Sequence, residues 1–204
     1  MDEALSLFHY HYQDTQAQKT LFLLHGTGGD EHDVLPLVQS LRAEYNLVGV
    51  RGNVSEQGMA RFFARQSPGV FDQESIATET DKLAEFIQAW MKKYSLTADR
   101  LAFLGYSNGA NMILATLFNH PNLIKKAALL HPMLPFQPSE RMALKDSSFL
   151  VTYGENDLMI SPQESQKVSA VLKKSGASVE VVTHPGGHEL VKAEVLRLQE
   201  FLLH

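Results

Sequence analysis

Short, unbroken apolar runs alternate along the chain with longer amphipathic stretches, and that rhythm sets the first expectation. TLFLLHG (20–26), NLVGVRG (46–52), RLAFLGY (100–106), KAALLHP (126–132), SFLVTYG (148–154) and SVEVVTH (178–184) are compact runs rich in apolar residues. Runs of this length read as strands buried on both faces of a sheet. Between them, ESIATETDKLAEFIQAWMKKY (74–94) places apolar residues at 76, 83, 86, 87, 90 and 91, a helical stripe opposite a charged face. NGANMILATLF (108–118), PQESQKVSAVLKKSG (162–176) and ELVKAEVLRLQEFLL (189–203) read as further helices. The second of these three closes on glycine with lysines in its last turn. VLPLVQSLR (34–42) has helical spacing, and Pro36 in its first turn makes Asp33 the expected N-cap. The aromatic start LSLFHYHY (5–12) half-alternates, as an edge strand does. Asn53 to Asp72 carries three glycines or prolines and no clean period, and reads as one long loop.

Strands alternating with helices predict an α/β domain, a three-layer α/β/α sandwich with a mostly parallel sheet. No repeat, low-complexity segment or linker divides the chain, so residues 1–204 read as a single domain. An apolar fraction of 44 % and a charged fraction of 20 % are those of an ordinary globular chain. The formal charge of −5 argues against a nucleic-acid partner, which calls for a basic face. No apolar run approaches the roughly 20 residues that span a bilayer. The start, MDEALSLFHYHYQDTQ, is acidic and polar, unlike a signal peptide, and the expected setting is cytoplasmic. With zero cysteines there is no disulfide, thiol nucleophile or thiolate metal site.

Ligands of parallel sheets bind outside the carboxyl ends of the strands. His25-Gly26, Arg51-Gly52, Ser107, Glu155 to Asp157 and His184 to His188 all follow a predicted strand and should crowd one rim. In GYSNGA (105–110) Ser107 stands between two glycines, which is either a polar turn or a nucleophile on a tight strand-to-helix bend. A nucleophilic serine needs a base and an acid to orient it, in the chain order Ser, Asp or Glu, His. Of nine histidines, that order leaves His184 and His188. His184 continues a strand and precedes proline, whereas His188 follows two glycines on a loop free to turn inward, and is preferred. Glu155 and Asp157 both follow the strand 148–154, and Asp157 lies further along the loop that must reach the histidine. A zinc site at His184 and His188 is disfavoured, because Pro-Gly-Gly between them precludes the helix that aligns ligands four apart. Oxyanion donors are expected from the backbone N–H of Asn108, after the nucleophile, and of Thr27 in HGTGG. That glycine turn lacks a Walker lysine, so nucleotide binding is poorly supported.

With LLHGTGGDE, GYSNGA, YGENDLMISP and HPGGHEL in this order, the chain resembles the α/β-hydrolase superfamily. More narrowly it is similar to the phospholipase/carboxylesterase group, related to acyl-protein thioesterases and dienelactone-hydrolase-like enzymes. VRGNVSEQGMARFFAR (50–65) resembles a bacterial carboxylesterase subgroup linked to hydroquinone or metal stress. The resemblance implies Ser107, Asp157 and His188 as a triad, Thr27 and Asn108 as oxyanion donors, no cofactor or metal, and a small-molecule ester as substrate. The expected partners include no nucleic acid and no membrane, with the chain a monomer or homodimer. Dienelactone hydrolases use cysteine, absent here, so their ring opening is not implied. Pro132 to Ser147 is too short for a large helical cap, which points to an open site and small or extended acyl groups. Arg51, Arg61 and Phe62 are expected to border the pocket, Arg51 or Arg61 pairing with a substrate carboxylate, while Arg65 reads as a solvated loop residue. Rival readings are a thioesterase or lysophospholipase on the same triad, a serine peptidase, and a non-catalytic ligand-binding homologue.

Overall fold

The computed structural model describes residues 3–67, 69–138 and 142–204. After a 3-10 turn (Glu3–Ser6), the strands are β1 (Tyr10–Gln13), β2 (Lys19–Leu24), β3 (Tyr45–Val50), β4 (Val54–Glu56), β5 (Met59–Arg61), β6 (Arg65–Ser67), β7 (Val70–Phe71), β8 (Leu101–Tyr106), β9 (Lys126–Leu130), β10 (Ser148–Gly154) and β11 (Ser178–His184). The helices are α1 (Gln73–Tyr94), α2 (Asn108–Asn119), α3 (Pro162–Lys174) and α4 (Lys192–Leu203). One seven-stranded sheet runs in the order β1-β3-β2-β8-β9-β10-β11. β1 pairs antiparallel at the edge, and every other pair in this sheet is parallel. The chain thus has the α/β-hydrolase fold.

The central strands are apolar throughout because each feeds two cores. In β2, Phe22 and Leu24 face the larger core while Leu21 and Leu23 face the other. β8 splits the same way, Leu101 and Phe103 against Ala102 and Leu104. α1, α2 and α3 cover the first face, and α4 with a 3-10 helix (Leu35–Leu41) covers the second. Asp72 caps α1, its side chain accepting from the Ser75 N–H at 3.0 Å. Among the described residues no helix is long and apolar enough to cross a membrane.

Two expectations are corrected. The segment 34–42 is not an α-helix capped by Asp33: it is the 3-10 helix, preceded by Val34, without a side-chain cap. Its buried residues, Leu35, Val38 and Leu41, recur every third position, the period of a 3-10 turn rather than an α-helix. The segment 53–72 is not one loop but two small hairpins, β4–β5 and β6–β7, with Pro68 outside the described residues. Gln57 and Gly58 both hold positive φ, 53° and 81°, the two-residue turn that matches strand twist. Glutamine is an uncommon first residue for such a turn, so the hairpin is hard to see in the sequence. Pro132 to Ser147 carries no helix among its described residues, while 139–141 lie outside them.

Candidate active site

The rim formed by the strand ends gathers the polar residues. Ser107 sits between β8 and α2 at φ 51°, ψ −111°, a conformation that costs a side-chain-bearing residue of order 1–3 kcal/mol. The bend is possible because its glycine neighbours let backbone approach backbone. A Cβ on Gly105 would lie 2.6 Å from the Ala110 nitrogen, and one on Gly109 would lie 2.3 Å from the Leu24 carbonyl oxygen. The Ser107 N–H donates to the Leu130 carbonyl at 2.8 Å, tying the turn to β9.

Ser107 Oγ lies 3.0 Å from His188 Nε2, and His188 Nδ1 lies 2.6 Å from Asp157 Oδ2. The structure therefore brings these three residues into one hydrogen-bonded chain, drawn from the ends of β8, β10 and β11. Asp157 Oδ1 accepts from the N–H groups of Met159 and Ile160 at 2.8 and 2.9 Å. Burial alone would raise the carboxyl, but the Ile160 N–H, His188, His131 and the Met159 N–H together hold it below the usual carboxylate range. Tyr106 donates its hydroxyl to the His188 carbonyl at 2.6 Å, and its ring centroid lies 5.4 Å from the imidazole. Burial, reinforced by Asp157, Glu194 and Glu189, pushes the phenol up to about 12, so it stays a donor. Glu155 turns elsewhere, accepting from Thr183 Oγ1 at 3.0 Å.

Thr27 and Asn108 line the same cleft as Ser107. Asn108 opens α2, where the first N–H groups have no acceptor inside the helix. The neighbouring N–H groups of Gly28 and Gly29 are committed to the carbonyls of Ala60 and Gly26, at 2.9 and 3.1 Å. The Asn108 side chain has a job of its own: its Oδ1 accepts from the Phe62 N–H at 2.8 Å and ties α2 to the hairpin segment. Asn111 does the same for the far wall, accepting from Met133 N–H at 2.9 Å. His25 braces the glycine turn, with Nδ1 2.6 Å from the Gly26 carbonyl and Nε2 accepting from Gly52 N–H at 3.0 Å. Burial pushes His25 down, which keeps it neutral in this role.

The expected substrate contacts divide. Arg51 does not face the cleft: its Nε and Nη2 bind Glu31 at 2.5 and 3.0 Å, because the loop after β2 brings that buried carboxylate across to the end of β3. Phe62 is fully buried, with its ring centroid 4.9 Å from His25, since the Asn108 tether turns it into the core. Arg61 lines the cleft but is almost wholly buried there. It donates to Thr27 Oγ1 at 2.7 Å and to the Phe63 carbonyl at 3.2 Å, with Glu56 at 3.3 Å. Arg65, read from sequence as a solvated loop residue, lines the cleft too and shares Glu56 at 2.7 Å. Phe71, Met133, Met159 and Ile160 supply apolar walls, and the cleft encloses about 140 Å³.

Among the described residues, two side-chain clusters have the donor set of a metal site: His131, His184 and Glu194, and His131, Asp157 and His188. Their protein partners already account for most of these atoms. His131 binds Asp157 at 3.2 Å and Glu194 at 3.1 Å, and His184 Nδ1 accepts from Gly186 N–H at 3.1 Å. His184 Nε2 is 3.2 Å from Glu194 Oε2, close enough for charge attraction but without hydrogen-bond geometry. His184 and His188 do not fall in one cluster.

Residues 10–204 match the family described as Phospholipase/Carboxylesterase. A putative hydrolase, MhqD of Bacillus subtilis (strain 168), is 37 % identical over 190 residues, covering 93 % of this chain and 95 % of that protein. A carboxylesterase of Bacillus cereus superposes with a TM-score of 0.89 at 37 % identity, covering 95 % of this chain and 92 % of that one. The structure of YahD with malic acid superposes with a TM-score of 0.87 at 28 % identity, covering 96 % and 98 %.

Proposed function

This chain belongs to the phospholipase/carboxylesterase family, and from that premise we propose that it is a serine esterase acting on short-chain carboxylic esters. The observation that carries the reading is the bonded chain from Ser107 through His188 to Asp157. Ser107 Oγ attacks the ester carbonyl carbon while His188 Nε2 takes its proton. The tetrahedral oxyanion is held by the N–H groups of Thr27 and Asn108, donors of a kind worth about 2.7–4 kcal/mol each. As the intermediate collapses, the bond to the alcohol oxygen breaks and His188 delivers the proton to that oxygen. Water, losing its proton to His188, then attacks the acyl-serine and the acid leaves with Ser107 restored. Asp157 stays ionised and stabilises the imidazolium in both halves.

The walls of the cleft favour particular substrates. A cleft of about 140 Å³ is small beside the roughly 300–1,000 Å³ of drug-sized ligand sites, and favours short acyl groups. Arg61 and Arg65 share the carboxylate of Glu56, and the other carboxylate of the cleft, Glu164, is paired with Lys167, which leaves a net positive charge on the arginine wall. The likeness of this chain to the structure of YahD with malic acid, a dicarboxylate, supports esters that carry a carboxylate. Arg65, the more exposed of the two arginines, is the residue assigned to meet it.

A second reading, thioesterase or lysophospholipase, is favoured by one feature. Leu158 and Met159, beside Asp157, are 99 % and 76 % exposed and give a longer acyl chain an apolar surface at the mouth. Kinetics on a panel of esters, thioesters and amides of increasing acyl length, with Ser107→Ala as control, separates the two. The esterase reading expects kcat/KM to peak at short esters and Ser107→Ala to be inactive. A peak at long acyl thioesters supports the second reading, and full activity in Ser107→Ala contradicts both.

A further inference from the structure

His131 directly follows β9 and is wholly buried, yet it holds φ at 50°, in the left-handed region that few residues other than glycine adopt. The strain places its imidazole between two carboxylates. Nδ1 lies 3.2 Å from Asp157 Oδ2, the same oxygen that binds His188, and Nε2 lies 3.1 Å from Glu194 Oε1. Both carboxylates are buried, Asp157 on the loop after β10 and Glu194 in the first turn of α4. A neutral imidazole has one N–H and one lone pair, and the lone pair would face a carboxylate oxygen at hydrogen-bond distance. With both carboxyls held below their usual range and so ionised, only the imidazolium satisfies both partners.

We propose that His131 is a positioning residue of the active site, a buried cation clamped by Glu194 that fixes the Asp157 carboxylate and tempers its pull on His188. The proposal rests on the Ser107–His188–Asp157 reading. The other groups around the ring are Tyr106 from β8, with centroids 5.9 Å apart, His184 at 5.5 Å and His188 at 5.1 Å from the β11–α4 segment, and Glu189 beyond them. Tyr106 is neutral, so the charge facing His131 comes chiefly from the two bonded carboxylates. Burial works against the charge on His131, but its bonds to Glu194 and Asp157 outweigh burial and hold it above the ordinary imidazole range. The clamp has two effects. Asp157 Oδ1 is anchored by two backbone N–H groups, so the His131 bond stops Oδ2 from swinging away from His188. The positive charge also offsets part of the Asp157 field at His188.

The test uses Glu194→Gln, His131→Gln and the wild type. Glu194→Gln keeps the hydrogen bond but lets His131 be neutral, since the amide can donate to Nε2. The readout is the rate at which a fluorophosphonate labels Ser107 as a function of pH, which needs no knowledge of the substrate. In His131→Gln the acid limb of labelling should move upward by roughly one pH unit, the size that removing a charge within about 6 Å produces. Glu194→Gln loses a counter-charge along with the cation, so its acid limb should move in the same direction by less. The plateau in His131→Gln should fall roughly tenfold or more, since misplacement by about 1 Å can cost about 100-fold. Nitrogen NMR of labelled histidine in the wild type at neutral pH should show both His131 nitrogens protonated, independent of any variant's folding. A neutral His131 there, or a folded His131→Gln whose acid limb stays put, overturns the clamp. A wild type that is not labelled at Ser107 overturns the triad reading instead, and the clamp with it.

Discussion

At the scale of single residues, Ser107 trades conformational comfort for exposure of its hydroxyl. Its φ of 51° and ψ of −111° are strained for any residue with a Cβ. Ser107→Gly should therefore be at least as stable as Ser107→Ala, and by about 1 kcal/mol more where strain relief exceeds the entropy glycine loses on folding. Urea denaturation of the two variants measures this difference, and both should be inactive. The sequence carried much of this site. Spacing and chain order singled out Ser107, Asp157 and His188, which the fold brings within bonding distance. It carried little about His131, Arg61 or His25. Their neighbours depend on how β9, α4 and the hairpins meet, a matter of register that no local pattern records. Arg51 was misread for the same reason, because its partner Glu31 comes from a different loop.

At the scale of elements, that Arg51–Glu31 pair joins the β2 loop to the end of β3. Burial would raise the Glu31 carboxyl, but the bond from Arg51 and its own backbone N–H bring it down to about 2. A carboxyl whose value is depressed in the fold contributes stability above its unfolded value and loses it as pH falls through the folded one. Glu31 should therefore stabilise the protein fully above about pH 4.5 and progressively less toward pH 2. Glu31→Gln should cost about 1–2 kcal/mol at neutral pH, discounted because Arg51 is half-exposed, and should flatten the acid limb of stability. Urea titrations at several pH values check both. On the other face of the sheet, Trp90 of α1 meets Tyr10 and Tyr12 of β1 edge-on, with centroids 5.7 and 5.0 Å away. Trp90→Ala should lose about 3–5 kcal/mol by thermal or chemical unfolding and release the edge strand first. The strands and long helices were legible because periodicity reports burial. The 3-10 helix and the hairpins were not, because a three-residue repeat and a Gln-Gly turn look like ordinary helix and loop.

At the scale of the whole molecule, a sheet buried between two helical layers provides a rigid base on which loops from several strand ends converge. Rigidity matters because the Ser107 turn, the His188 loop and the Asp157 loop are far apart in sequence and must hold a hydrogen-bonded chain between them. On the proposed esterase reading, charge on the cleft wall sets selectivity. Arg65→Ala should lower kcat/KM for hemi-esters of diacids about tenfold relative to matched neutral esters, the scale of a charge-assisted contact worth about 1.4 kcal/mol. Steady-state kinetics on such pairs measures this, and an equal loss on both classes would remove Arg65 from substrate recognition.

The central claim is that Ser107 forms an acyl-enzyme. Intact-mass spectrometry of protein quenched shortly after mixing with p-nitrophenyl butyrate, followed by peptide mapping, tests it most directly. The account predicts a single butyryl group on the Ser107 peptide that disappears as turnover completes, and none on Ser107→Ala. Hydrolysis by Ser107→Ala at the wild-type rate, or an acyl group carried on another residue, would contradict it.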